Sequence, residues 1–475
     1  MQNRRDFLKG TAWMGLLAAA SGCSTARGGL FGGSSGAPMH GFAAKPMPRV
    51  RVGIVGMGSR GNGGLTRISQ IPGAEVVAIC DITEEKLAVS QKKLGALRKP
   101  AARAFLGETA YRALCEYDKV DVVYNTTPWN LHVPVALAAL RAGKHVFTEV
   151  PSAFTVDECW ELVETSEAVK RHCMQLENCC YNDLELLTLN LARHGMFGEI
   201  VHAEGAYIHD LRDMCGTEFP GCEYWRFAEN RDHAGNRYPT HGLVPLCLTM
   251  DVNRGDRLDY LVSLDSNQAN FKAYMAAALQ PDNPRRLSPV AMADMNSTLI
   301  KTVNGRSILL QHDVSSSRPY SRIQLLTGTK GAITGYPYRV GFEAQPGAGV
   351  HEWFDEAKAN EIREAYRHPL WKQVGEIAKK VGGHGGMDFI MDLRWIYCLQ
   401  NGLPLDMDVY DLATTSCLCE LTERSSRNRS RAEDVPDFTR GGWRTAKPLG
   451  IVSFDMSKIR FGVGDVSTDK DQLNV

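Results

Sequence analysis

The chain reads as an α/β protein of two domains: an N-terminal doubly wound parallel sheet, then an α+β domain built on a large, mainly antiparallel open sheet. Three observations predict this. The run Val52-Gly53-Ile54-Val55-Gly56-Met57-Gly58-Ser59-Arg60-Gly61 is a β-branched strand that turns on glycines into a helix. From Arg49 to about Asn178, short apolar runs alternate with amphipathic stretches, as in a parallel sheet covered on both faces. From about Cys180 the strands alternate apolar with polar residues, as in a sheet with one solvated face.

The first 22 residues are expected to be an address rather than part of the fold. Arg4-Arg5 followed by Phe7-Leu8-Lys9 and the apolar run Gly10 to Ala20 is the pattern of a Tat-type signal peptide. That apolar run is shorter than the roughly twenty residues a spanning helix needs. Export by Tat, to the periplasm or cell envelope, suits a protein that folds around a cofactor before transit. Ala20-Ser21-Gly22-Cys23 resembles a lipoprotein processing box, so two outcomes stay open: a lipid anchor at Cys23, or simple cleavage nearby. Residues 23–47, rich in Gly, Ser and Ala, are expected to be a flexible tether.

Residues 48–178 are expected to form a dinucleotide-binding domain of the Rossmann type. Gly56, Gly58 and Gly61 lack a Cβ, so the backbone can turn tightly and approach a pyrophosphate at the helix N-terminus. Ser59 and Arg60 stand within that turn. The run Glu75-Val76-Val77-Ala78-Ile79-Cys80 then delivers Asp81, twenty residues beyond the last glycine. A carboxylate there accepts from a ribose 2′-hydroxyl and repels a 2′-phosphate, which favours NAD over NADP. Val120 to Asn125 is the next strand, leading into Thr126-Thr127-Pro128-Trp129-Asn130-Leu131-His132 and a helix. Lys144 to Pro151 is a further strand and its exit. Ligands sit beyond the carboxyl ends of such strands, which places Trp129, Asn130, Leu131, His132, Glu149 and Val150 near the nicotinamide half.

Residues 179–475 are expected to form the substrate domain. Leu184 to Arg193 reads as a helix, and Gly198 to Tyr207, Asp259 to Val262, Ser297 to Val303, Ser307 to Asp313 and Ser321 to Thr327 read as strands. Their sheet is expected to leave an open face for substrate. Met387 to Gln400 and Val409 to Arg424 read as helices near the cleft. With 54 basic and 54 acidic residues the chain has no formal net charge, so no nucleic-acid-binding surface is expected. The 13 cysteines show no paired metal-ligand spacing; they read as buried small hydrophobes, and no metal is expected.

The glycine turn, the Asn-Thr-Thr-Pro loop with His132, and Ala142-Gly143-Lys144-His145-Val146 followed by Glu149 resemble the glucose-fructose oxidoreductase/inositol dehydrogenase superfamily. In that superfamily a lysine after the glutamate assists hydride transfer, whereas here the tripeptide is Glu149-Val150-Pro151. The aspartate usual four residues before the sheet-domain histidine is also absent, because Arg237 stands four before His241. These departures resemble glycoside hydrolase family 109, the NAD-dependent α-N-acetylgalactosaminidases. The matching segments are Trp129 to His132, Thr148 to Pro151, Glu177-Asn178-Cys179-Cys180-Tyr181, Tyr207 to Arg212, Tyr224-Trp225-Arg226 and Asn236 to Gly242.

The resemblance implies a hydrolase that holds NAD tightly and does not consume it, with Asn178 joining the cofactor residues. Hydride leaves sugar C3, the ketone acidifies C2–H, loss of that proton expels the C1 substituent, water adds, and the hydride returns. His241 is the expected base for the C3 hydroxyl. Tyr207 and His209 are two residues apart and share a strand face, so together they are expected to serve C2, with their individual roles left open. Tyr238 is expected to orient the ring. Arg226, Pro239, Thr240 and Tyr320 complete the substrate set with Tyr207, Tyr238 and His241. The substrate is then a small glycan or the terminus of a glycoconjugate, with a membrane reached only through a lipid at Cys23. A homo-oligomer is compatible with the sequence. Two alternatives are an exported NAD(P)-dependent sugar oxidoreductase and a glycan-binding lipoprotein without turnover. The missing lysine speaks against the first, and the joint presence of His209, His241, Tyr207 and Asp81 against the second.

Overall fold

The computed structural model describes residues 38–216, 223–459 and 461. The signal peptide, Cys23 and most of the expected tether therefore lie outside the described residues.

Six strands form the first sheet: β1 (Val50–Val55), β2 (Ala74–Asp81), β3 (Arg103–Leu106), β4 (Val122–Asn125), β5 (His145–Thr148) and β6 (Cys173–Gln175). All pair in parallel, in the order β3-β2-β1-β4-β5-β6. The order reverses between β1 and β4, which opens the crevice where dinucleotides bind in such sheets. β1 and β4 are almost wholly buried, as β-branched runs covered on both faces should be. The helix Ser59–Ile68 after β1 contains three poor helix formers, Gly61, Gly63 and Gly64, yet nearly all of it is buried. A Cβ on Gly64 would stand 2.8 Å from the Tyr124 ring, so glycine lets the helix lie close on the sheet.

The second sheet has eight strands: β7 (Ile200–Ile208), β8 (Leu258–Asp265), β9 (Asn296–Thr302), β10 (Ser307–Asp313), β11 (Leu325–Gly328), β12 (Gly331–Thr334), β13 (Arg339–Phe342) and β14 (Glu433–Asp434). The order is β13-β12-β11-β7-β10-β9-β8-β14, antiparallel throughout except for the central β7–β10 pair. The helix Thr240–Thr249 packs on β7 at unusually short range. A Cβ on Gly242 would lie 2.5 Å from the Ala206 nitrogen, and one on Gly205 would overlap the Gly242 carbonyl.

Four expectations need correction. Residues 38–47 are not free tether: the Met39 amide donates to the Tyr410 hydroxyl (3.1 Å), His40 pairs with Asp408 (3.0 Å), and the Met47 amide donates to the Leu399 carbonyl (2.9 Å). The strand expected from Ser321 begins only at Leu325, because Ile323 and Gln324 have φ of +59° and +53° and break it. The helix expected over Val409 to Arg424 is two, Val409–Ser416 and Leu418–Arg427, joined at Cys417. The open face of the second sheet is not the face that carries the site. Its exposed side bears Leu299 and Leu264, whereas Ala203, Gly205 and Tyr207 alternate onto the side the helix Thr240–Thr249 covers.

Candidate active site

The glycine turn is shaped for a dinucleotide. Gly56 has φ of +91°, and a Cβ there would stand 2.7 Å from the Thr126 carbonyl oxygen. Gly61 is closed in by the Gly56 backbone and by the Thr126 hydroxyl. A Cβ on Gly58 would meet nothing within 4 Å, so the N-terminus of the helix Ser59–Ile68 looks onto open space where a pyrophosphate fits. Asp81, at the tip of β2, accepts from the Met57 amide (2.7 Å) and from the Thr83 amide (3.0 Å), which fixes its carboxylate beside the turn. These residues fit NAD.

Around them the expected cofactor residues fall into two sets. Ser59 and Asn130 are exposed, Leu131 is half-buried, and Val150 is buried. Trp129 packs its ring 5.0 Å from Trp225 and 5.8 Å from Tyr238, and so links the cofactor loop to the substrate residues. Arg60 and Glu149 form an ion pair at 2.6 Å. His132 is buried with both ring nitrogens against main-chain carbonyls, of Pro151 (2.7 Å) and Thr127 (2.9 Å). It therefore supports the loop rather than offering a free nitrogen to the nicotinamide. Asn178 is likewise buried and donates to Asp388 (2.5 Å).

On the sheet side, the close contact of Gly205 with Gly242 brings His241 beside Tyr207, with ring centroids 5.2 Å apart and edge to face. Tyr238 packs 4.8 Å from His241 and 4.7 Å from Tyr207. The Tyr207 hydroxyl and His209 Nδ1 are hydrogen-bonded at 3.1 Å. Tyr320 lies edge-on to His209 at 5.0 Å, and its hydroxyl accepts from Arg322 (2.6 Å). Arg226 stacks on Trp225 and Trp129, with no carboxylate paired to it among the described residues. Of these side chains Tyr207, Tyr238, Arg226 and Trp129 line one cavity, together with Arg237 and His312. Pro239 and Thr240 are buried at the helix start next to His241 and, like it, do not line that cavity.

Sequence reasoning assigned no role to Glu177. Its carboxylate, fully buried, accepts from His241 Nδ1 at 2.7 Å. Burial alone would raise its pKa, but His241 outweighs that and holds it below the ordinary carboxylate value. Glu177 thus reaches His241 from the first domain. With Nδ1–H directed at Glu177, Nε2 is left as the basic nitrogen and is unbonded among the described residues. A signal was present in the sequence, since Glu177 opens one of the matching segments, but nothing in it ties residue 177 to residue 241.

Electrostatics sort the remaining groups. Burial, then the nearby His241, pushes the His209 pKa down, so His209 is neutral near pH 7, and its Nδ1 shares a hydrogen bond with the Tyr207 hydroxyl. Burial, then Tyr207, pushes Tyr238 well above the usual phenol value, so Tyr238 remains a protonated donor. Ligand atoms of Glu177, Cys179 and His241 lie within 4.8 Å of one another. A metal there would have to break the 2.7 Å Glu177–His241 bond and deprotonate a thiol that burial holds well above its ordinary pKa. Cys179 and its neighbour Cys180 are separate buried thiols.

Comparison with known proteins places this geometry in a family. Residues 50–176 match the model of the oxidoreductase family with an NAD-binding Rossmann fold, and residues 181–445 match that of the glycosyl hydrolase 109 C-terminal domain. Glycosyl hydrolase family 109 protein 2 of Shewanella sp. (strain ANA-3) is 44% identical over 453 residues, 95% of this chain and 99% of that protein. An alpha-N-acetylgalactosaminidase of Bacteroides fragilis is 45% identical over 409 residues, 85% of this chain and 95% of that protein. Among solved structures, levoglucosan dehydrogenase in complex with NADH and levoglucosan superimposes with a TM-score of 0.62 at 18% identity, covering 82% of this chain and 100% of that one, a likeness of fold. The chain, with its NAD-binding Rossmann domain, belongs to glycosyl hydrolase family 109.

Proposed function

We propose that the protein hydrolyses terminal α-linked N-acetylgalactosamine from glycans, with NAD held throughout and regenerated in each cycle. The observation that carries this reading is two hydrogen-bonded pairs in contact, Glu177–His241 and Tyr207–His209, with the Tyr207 and His241 rings 5.2 Å apart and Val150 where a dehydrogenase has its lysine. A sugar oxidoreductase needs one proton acceptor at the oxidised hydroxyl. An elimination route needs a second at the adjacent carbon, and two such systems are present.

NAD⁺, when bound, supplies reversible hydride acceptance at sugar C3. His241 Nε2 takes the C3 hydroxyl proton, and the imidazolium so formed is stabilised by Glu177. Tyr207 acts at C2: its phenol proton passes to neutral His209, and the phenolate removes C2–H. Tyr238 and Arg226 donate hydrogen bonds that fix the ring and its acetamide. The same groups run in reverse when water has added, returning protons to C2 and to the C3 oxygen. Export by Tat and lipid attachment at Cys23 belong to the same proposal; labelling by a palmitate analogue that is lost in Cys23→Ala tests the anchor.

The activity is tested with p-nitrophenyl α-N-acetylgalactosaminide and purified protein without added NAD. Release of p-nitrophenol over many turnovers is expected. No release by protein shown to contain NAD overturns the assignment.

A further inference from the structure

Two residues of the cofactor set, Arg60 and Asn178, converge on one carboxylate that the sequence did not single out. Asp388, in the first turn of the helix Met387–Asn401, accepts from Arg60 Nη1 (2.9 Å) and from Asn178 Nδ2 (2.5 Å). His384 Nδ1 lies 2.9 Å from the same carboxylate and 3.4 Å from Arg60 Nη1. Through Arg60, Glu149 joins the group at 2.6 Å. One buried acid therefore ties together the glycine helix, the exit of β5, the turn that follows β6 and the loop before its own helix. Burial would raise its pKa, but Arg60, then His384 and Arg67, outweigh that and hold the carboxyl well below its ordinary value.

The loop itself is unusual. Gly382, Gly383, His384, Gly385 and Gly386 all have positive φ, at +92°, +84°, +45°, +71° and +108°. Glycine adopts this region freely, and a side chain there is strained. The glycines are also needed for space: a Cβ on Gly383 would stand 2.6 Å from the Asp388 Cβ, and one on Gly386 2.8 Å from the Ala378 carbonyl carbon. His384 is the single residue of the five that carries a side chain, in a conformation that disfavours one. That side chain is half exposed, at 49%, so it fills no core. Among the described residues its bonded contacts are the carboxylate that also holds Arg60 and Asn178, at 2.9 Å, and Arg60 itself, at 3.4 Å. Strain kept at such a position points to a task for the side chain.

We propose that His384 and Asp388 form a retention latch for the dinucleotide: the Gly382–Gly386 loop is pinned through His384 to the acid that fixes Arg60 and Asn178, and this slows release of NAD. His384 and Asp388 act through Arg60 and Asn178 and are positioning residues. The proposal rests on the NAD site and not on the identity of the glycan, so its failure leaves the glycosidase assignment standing.

The test is exchange of bound NAD against isotopically labelled NAD, followed by desalting at intervals and counting label per protein. Losing a hydrogen bond to a charged group should make exchange in His384→Ala roughly tenfold faster or more. His384→Asn, whose amide can donate to the same carboxylate, should restore most of the slow exchange. Circular dichroism on each variant confirms the fold, and the exposed position of His384 makes its loss tolerable if Asp388→Asn fails to fold. Exchange in His384→Ala no faster than in the parent overturns the latch. So does a lowered melting temperature with unchanged exchange, or an asparagine variant no slower than the alanine one.

Discussion

At the scale of single residues, the site turns on hydrogen bonds that cross between domains. Glu177 follows β6 of the first domain and His241 opens the helix on β7 of the second, yet they meet at 2.7 Å. Replacing His241 with alanine removes the proposed C3 base and should lower turnover roughly a hundredfold or more, the usual scale for a positioned acid or base. Glu177→Gln keeps the shape but loses the charge that stabilises the imidazolium. Its kcat should therefore fall while bound NAD per protein stays at the parent level, read as absorbance of cofactor released on denaturation. A Glu177→Gln enzyme of full activity would remove Glu177 from the mechanism. His241, Tyr207, His209 and Tyr238 were singled out through the family resemblance, and the structure packs them together. Glu177 and Asp388 were not, because their partners lie far away in sequence and are brought near only by domain packing.

At the scale of elements, the approach of the helix Thr240–Thr249 to β7 sets the distance between His241 and Tyr207. Gly205 and Gly242 face each other with no room for a side chain on either. Gly242→Ala must push the helix away from the strand, at a cost of about 1–3 kcal/mol for overpacking. The expected outcome is a lowered melting temperature together with a loss of kcat larger than the stability change explains, since the two bases then no longer face one sugar. Full activity at reduced stability would show that this contact does not set the catalytic distance. Strands were the most legible elements: β10 spans Ser307–Asp313 as its alternation predicts. Ser321 to Gln324 misled because alternation continues where the backbone leaves the strand, with Arg322 turned onto buried Glu185 at 2.8 Å. The face of the second sheet that carries the site was also hidden, since alternation gives two faces and only the Gly205–Gly242 contact says which one is covered.

At the scale of the whole molecule, both domains bury histidines that remain neutral when folded. Burial, then His172 and Arg171, pushes His145 down to about 3, and burial pushes His172 to about 4. In the second domain, burial, then Arg237, takes His312 to about 3, and burial takes His368 to about 4. Unfolded, these imidazoles take up protons below about pH 6.5, whereas the folded ones do so only near 3 to 4. The unfolded state binds more protons across that window, so stability should be full above pH 6.5 and fall steadily as pH drops toward 4. A melting temperature that is flat or rising from pH 7 to 4 would contradict this. Whole-molecule organisation was largely legible, since the glycine turn, Asp81 and the change of texture near Cys180 foretold both sheets. The segment 38–47 was missed because its contacts, Met39 with Tyr410 and His40 with Asp408, join residues more than 360 positions apart.

The central claim is that the glycosidic bond is broken by elimination across C1 and C2 and not by direct displacement at C1. The most direct measurement is hydrolysis of an α-N-acetylgalactosaminide in D₂O, with the released sugar analysed by mass spectrometry and proton NMR against free sugar held in the same solvent. Deuterium at C2 with protium retained at C3 is predicted, because the C2 proton passes through Tyr207 while the C3 hydride never enters water. A product unlabelled at C2, together with equal rates for C2–H and C2–D substrates, would contradict the account.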